Sequence, residues 1–219
     1  SVGMDKEFTK KVLAAAGLPV APEVILKGRT ELSEEEKQHL GLPVFVKPAR
    51  GGSSIGVSKV NSWEEFPAAV DLALEDDEKI LVEPEIVGQE VEIGVLHYAD
   101  GTLLASVPAL LAGIDDSDEG FYGFDTKYLD NVVTAEIPAP FTPELTEKLR
   151  DMAVRAFEAL NCEGLSRVDF FVTEDSVYIN EINTLPGFTP ISMYPQVLAA
   201  SGVEYPALLE ALIEQALAK

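Results

Sequence analysis

Apolar and polar positions along this 219-residue chain follow two periods, and the switches between them mark out its elements. Phe8, Val12 and Ala15/Ala16 form a helical stripe over 5–16, which Gly17 and Pro19 stop. A short strand is predicted at 24–26, an acidic helix at 33–39, and an apolar strand at 42–46 running into Lys47-Pro48. Arg50-Gly51-Gly52-Ser53-Ser54-Ile55-Gly56 comes next, then a strand to Val60. Ser62-Trp63-Glu64-Glu65 reads as a capping box opening a helix to Glu75, and 79–83 as another strand. From Glu90 the strands lengthen, with 91–98, the turn Asp100-Gly101 and 102–107 making a hairpin. A polar stretch, 112–131, holds Asp115, Asp116, Asp118 and Glu119 with three glycines, and reads as a long mobile loop. A helix is predicted over 143–160, with Thr142 as cap and Pro143 in its first position. Strands at 165–173 and 177–182, a loop over 183–194 and a helix-rich tail complete the chain.

Helices and strands mix without strict βαβ alternation, and hairpins recur. That pattern predicts an α+β fold with antiparallel sheets. A break near Val87-Gly88 divides the chain into lobes of 1–87 and 88–219.

Composition narrows the partners. With 47% hydrophobic residues the chain can bury a core, but 38 Asp+Glu against 16 Lys+Arg leave a net charge of −22. Such a surface repels phosphate backbones and anionic lipid, which argues against nucleic acid and membrane. Any anionic ligand then needs a local site of lysines, backbone amides and metal ions. Cys162 is the single cysteine, so no disulfide forms within the chain, and a cytoplasmic location is expected. No apolar run approaches the ~20 residues of a membrane span, and the first residues carry no signal-peptide pattern.

Chemistry concentrates in the last two strands. Arg167, Asp169 and Phe171 share one face of the first, and Val177, Ile179, Glu181 and Asn183 one face of the second. A hairpin through a three-residue loop at 174–176 sets Asp169 opposite Glu181 and Arg167 opposite Asn183. Two carboxylates held that close repel each other, so one takes a proton or a cation sits between them. With the Asn183 amide the donors are all oxygen, which suits Mg²⁺ or Mn²⁺ and not zinc. The blander alternative is a solvent-facing strand with surface acids. The glycine-rich run after Lys47 is not a Walker A loop, because the lysine precedes the glycines. It either folds over phosphates or is an ordinary hairpin loop. Glu83 and Glu90, on composition alone, are solvated acids.

Taken in order, the segments resemble one family. They are Met4-Asp5-Lys6, Pro43-Val44-Phe45-Val46-Lys47-Pro48 with Gly52-Ser53-Ser54-Ile55-Gly56, Val82-Glu83 and Gly88-Gln89-Glu90. Phe121-Tyr122, Lys127-Tyr128, Ser166-Arg167-Val168-Asp169 and Asn180-Glu181-Ile182-Asn183-Thr184-Leu185-Pro186-Gly187-Phe188-Thr189 complete them. This arrangement is similar to D-alanine–D-alanine ligases of the ATP-grasp superfamily, over their central (1–87) and C-terminal (88–219) lobes. The resemblance implies two lobes with antiparallel sheets enclosing a nucleotide cleft.

It also implies roles. Lys6 and Lys47 hold ATP phosphates; Glu83 and the backbone near Ile86 recognise adenine; Glu90 takes the ribose, with Phe121 and Phe171 also on the nucleotide. Asp169, Glu181 and Asn183 hold two magnesium ions, and Ser53 and Ser54 lie over the transferred phosphoryl group. Lys127 belongs to a mobile loop, 121–131, that closes on that group, and Tyr128 faces the substrate. Arg167 and the Gly187 amide stabilise an oxyanion, and Ser192 holds the second substrate's carboxylate. The implied reaction joins two D-alanines through an acyl phosphate, in the cytoplasm, for peptidoglycan precursors, in a family that suggests a homodimer.

The family also carries a preceding α/β domain that nothing in these residues matches, so the chain is expected to be a fragment, a processed chain or a dissected piece. Two other readings therefore stand beside the ligase. One is a nucleotide-binding part that is inactive alone, and the other an ATP-grasp carboxylate–amine ligase with other substrates.

Overall fold

The computed structural model describes residues 2–52, 54–112, 134–189 and 191–218. Helices and antiparallel sheets are mixed in it, the α+β class expected from the pattern. The chain forms two compact units. One gathers the residues up to Phe8 with Ala21–Val87, and the other Thr9–Val20, Gly88–Ala112 and the chain from Thr134 onward.

In the first unit β1 (Val24–Lys27), β2 (Val44–Pro48), β3 (Ser58–Val60) and β4 (Lys79–Pro84) form an antiparallel sheet in the order β1-β4-β2-β3. Val44, Val46, Val60, Ile80 and Val82 turn one face onto α3 (Phe66–Leu74), whose Phe66, Ala69, Val70 and Ala73 complete a buried core. The other face carries Phe45, Lys47 and Glu83. Helix α2 (Glu34–Leu40) holds a capping box, in which Ser33 and Glu36 each accept from the other's backbone N–H.

The capping box expected at Ser62 does not form. Only half of it is present, Glu65 Oε2 accepting from the backbone N–H of Asn61 and Ser62, and α3 starts at Phe66. Pro67 explains the delay. In a helix begun at Ser62 its ring would collide with the Trp63 carbonyl, whereas within the first turn its missing N–H costs nothing.

The second unit holds β5 (Gln89–His97), β6 (Leu103–Ala105), β7 (Ala109–Ala112), β8 (Thr134–Glu136), β9 (Leu165–Val172) and β10 (Val177–Asn183). They form an antiparallel sheet in the order β10-β9-β5-β7-β8, with β6 also on β5. The strand expected over 102–107 ends at Ala105, and β7 was not anticipated. Pro108, which has no N–H, interrupts the ladder, and β5 is paired by β6 along one half and by β7 along the other. Ser106 bridges the gap: its N–H donates to the Gly94 carbonyl (2.8 Å) and its Oγ accepts from the Gly94 N–H (2.9 Å).

One face of this sheet (Val91, Ile93, Val95, Val168, Phe170, Val172, Val177, Ile179) packs on Leu13 of α1 (Lys6–Ala15) and on α4 (Pro143–Ala159). Helix α4 begins as expected, with Pro143 in its first turn and Thr142 Oγ1 accepting from the Leu145 N–H. On the other face α5 (Met193–Ala200) and α6 (Tyr205–Leu217) cover Leu96 and Ala109. Gly94 admits them, since a Cβ there would lie 2.5 Å from Leu198 Cδ2. The rest of that face carries the polar side chains of β5, β9 and β10.

Candidate functional site

Strand β9 alternates without exception. Ser166, Val168, Phe170 and Val172 are buried, and Leu165, Arg167, Asp169 and Phe171 are half-buried on the opposite side. At the β9–β10 turn Thr173 N–H donates to the Ser176 carbonyl (2.8 Å) and Ser176 N–H to Thr173 Oγ1 (3.0 Å). Only Glu174 and Asp175 span the turn, one residue fewer than expected. Val177 therefore pairs with Val172 and Ile179 with Phe170. Continued unchanged, that register would set Glu181 against Val168, on the core face.

A shift between Ile179 and Glu181 prevents this. Asn180 is the extra residue, and beyond it Glu181 lies opposite Asp169 and Asn183 opposite Arg167, the pairing expected from sequence. The expected common face of Val177, Ile179, Glu181 and Asn183 is corrected. Val177 and Ile179 are core residues, and the bulge turns Glu181 and Asn183 to the other side.

Three rows of side chains cross β5, β9 and β10 on this face: Glu90–Phe171–Tyr178, Glu92–Asp169–Glu181, and Gly94–Arg167–Asn183. Arg167 holds Asp169 with two hydrogen bonds, Nε to Oδ1 and Nη2 to Oδ2, both 2.7 Å. Its Nε also lies 3.2 Å from Glu92 Oε2. Asn183 Nδ2 donates to Asp169 Oδ2 (2.9 Å) and to Glu181 Oε1 (3.3 Å). Burial works against the Arg167 charge, but Asp169, Glu92 and Glu181 outweigh it and raise its pKa above the ordinary arginine value. One guanidinium thus faces three carboxylates.

This donor set fits a hard divalent cation. Two carboxylates and a carboxamide face the same side, and an amide turned by half a rotation offers its oxygen in place of its nitrogen. Among the described residues no group of three or more His, Cys, Asp or Glu is arranged to hold a metal, so the fit rests on Asp169, Glu181 and Asn183.

Beyond β10 the chain folds back on itself. Ser192 N–H donates to the Thr189 carbonyl (2.8 Å), and Ser192 Oγ accepts from the Thr189 N–H (3.1 Å). Gly187 lies against this hydroxyl, where a Cβ would come within 2.9 Å of Ser192 Oγ. Gly187 and Ser192, expected to act on one substrate, are neighbours in one loop.

In the first unit Lys47 Nζ pairs with Glu83 Oε1 at 2.8 Å, both side chains largely buried. Lys6 Nζ donates to the carbonyls of Gly51 (2.9 Å) and Pro48 (3.4 Å), at the start of the glycine-rich run. Within that run Ser54 adopts a left-handed φ of 57°. Ile86 follows β4 and is half-buried. Ser53, Phe121, Lys127 and Tyr128 lie outside the described residues.

Sequence reasoning missed Glu92 and Tyr178. The signal for Glu92 was an acid inside the apolar run Val91–Val95, and for Tyr178 its place beside Phe171 once the register is known.

Residues 12–214 match the family described as D-ala D-ala ligase C-terminus. The D-alanine–D-alanine ligase of Corynebacterium efficiens is 66% identical over 99% of this chain. The VanG D-Ala:D-Ser ligase of Enterococcus faecalis superposes with a TM-score of 0.85 at 33% identity, covering 98% of this chain and 62% of that one. The D-alanine–D-alanine ligase of Bacillus anthracis, solved in complex with ATP, gives a TM-score of 0.81 at 27% identity, covering 99% and 66%. The chain spans about 60% of the length of the curated relatives it matches.

Proposed function

Because this chain belongs to the D-ala D-ala ligase C-terminus family, we propose that it carries the nucleotide- and magnesium-handling part of an ATP-dependent ligase that joins two D-alanines. The observation that carries this reading is the convergence of Arg167, Asp169, Glu181 and Asn183 on one face of the β5–β9–β10 sheet. ATP phosphorylates the carboxylate of the first D-alanine, giving an acyl phosphate and ADP, and the amine of the second displaces phosphate. Both steps build negative charge on oxygen, and fixed cationic and N–H donors stabilise such charge. Arg167 supplies the guanidinium and Gly187 its backbone N–H, while Ser192 holds the incoming carboxylate.

Lys6 and Lys47 bind phosphate oxygens, Ser53 and Ser54 cover the transferred group, and Lys127 and Tyr128 close over it. Glu83 and the backbone at Ile86 take the adenine, Glu90 the ribose, and Phe121 and Phe171 line the nucleotide. Asp169, Glu181 and Asn183 hold magnesium, which when bound neutralises phosphate charge. Among the described residues no helix is long and apolar enough to cross a membrane. A cytoplasmic, homodimeric enzyme of peptidoglycan precursor synthesis completes the reading.

Phosphate release from ATP and magnesium, measured with and without D-alanine, tests it. Release is expected only with D-alanine, and Arg167→Met is expected to slow it about 10²–10³-fold. Release that ignores D-alanine would overturn the ligase reading. The span of about 60% of the relatives' length favours a second reading, a part that binds ATP without turning it over. Calorimetric ATP binding without phosphate release would select it.

A further inference from the structure

Aromatic rings hold the loop that carries Gly187 and Ser192. The Phe188 ring lies 5.8 Å from that of Tyr194 and 5.7 Å from that of Tyr205. Tyr194 is fully buried in α5, and its hydroxyl donates to the Val95 carbonyl of β5 (3.0 Å). Tyr205 is the first residue of α6, and its hydroxyl donates to the Phe188 carbonyl (2.9 Å). Packing accounts for the Tyr205 ring, since aromatic pairs at this spacing stabilise by contact. It does not account for the hydroxyl.

The carbonyl that accepts this hydroxyl belongs to the peptide joining Phe188 to Thr189. The N–H of the same peptide donates to Ser192 Oγ (3.1 Å). A peptide group is planar, so a donor on its oxygen also fixes where its N–H points. Hydrogen bonds in series polarise one another, so donation to the carbonyl strengthens the Thr189 N–H as a donor. That N–H fills one acceptor position of the Ser192 hydroxyl, and Thr189 Oγ1, 2.8 Å away, is placed to fill the second. The Ser192 hydrogen is then left to be donated outward.

We propose that Tyr205 is a positioning residue for the second substrate: through the 188–189 peptide it orients the Ser192 hydroxyl toward an incoming carboxylate. What Ser192 grips rests on the ligase reading; the line of hydrogen bonds that reaches it from α6 does not.

Tyr205→Phe keeps the ring and removes the hydroxyl. In it the Thr189 N–H is expected to exchange with solvent about three- to ten-fold faster by NMR, the worth of one hydrogen bond. The Val203 and Leu208 N–H groups, which donate to the Leu198 and Glu204 carbonyls, are expected to keep their rates. Unchanged Thr189 exchange overturns the proposal. So does quickening shared by Val203 and Leu208, because the hydroxyl would then serve the start of α6 and not the loop. The second measurement is D-alanine-dependent phosphate release. KM for the second D-alanine is expected to rise about three- to ten-fold with KM for ATP unchanged. That rise is expected to vanish when Tyr205→Phe is made on Ser192→Ala, where the group it acts through is gone. A second-D-alanine KM that stays put, an equal rise in KM for ATP, or a rise that persists in Ser192→Ala overturns the proposal. If the wild-type chain releases no phosphate, the ligase reading fails on its own while Thr189 exchange still decides on Tyr205.

Discussion

Arg29 grips Glu36 through both guanidinium Nη atoms, and the Ser33 N–H adds a hydrogen bond of 2.8 Å. Arg29 chiefly, with that backbone bond, holds the Glu36 carboxyl down to about 2 from its ordinary 4.5. A carboxyl whose pKa falls on folding stabilises the folded state above its unfolded pKa, and that contribution is lost as pH drops through the folded one. Thermal unfolding midpoints should therefore fall more steeply for the wild type than for Glu36→Gln between pH 4.5 and about 2; parallel curves would contradict it. One other ion-pair cluster is largely buried. Lys79 pairs with Asp5 (2.6 Å) and Glu7 (2.8 Å), tying the start of α1 to β4. Arg167 and Asp169 stood out in the sequence because polar residues alternate with apolar ones along β9, and Glu181 and Asn183 because a hairpin sets them opposite that pair. Glu92 did not, because both faces of β5 are covered and its neighbours read as a plain core strand.

Legibility at the scale of elements followed the local chemistry. Thr142 and Pro143 announced α4, and Asp100-Gly101 announced the β5–β6 turn. Pro67 and Pro108 each moved a boundary, one delaying α3 and the other splitting β6 from β7. The bulge at Asn180 left no such mark, since the residues around it fit either register and only pairing with β9 distinguishes them. Deleting Asn180 removes only the extra residue: Glu181 then follows Ile179 in the turn's own register and still lies opposite Asp169. Such a variant is expected to fold and to keep its magnesium-dependent ATP binding. Chemical denaturation and calorimetry measure the two, and loss of ATP binding in a folded variant would refute this account of the bulge.

Across the whole molecule, charge dominates. A net −22 on 219 residues sets most surface groups against one another, and such self-repulsion destabilises a compact state. Raising sodium chloride from about 10 mM to about 150 mM shortens the screening length from roughly 30 Å to roughly 8 Å. The unfolding temperature is expected to rise over that range, and a fall would show that attractive surface pairs outweigh the net repulsion. Each unit has its own apolar core, one under α3 and the others on the two faces of the β5–β9 sheet. The α+β class was legible from hairpin frequency, whereas the rows of side chains across three strands required the pairing. Strand β9 separates two kinds of selection along eight residues. Its positions 167, 169 and 171 lie on the face of the proposed site, and its even-numbered ones answer only to the interior. Descendants of such a strand are free to drift toward new ligands, one residue in two, while the scaffold beneath them stays constant.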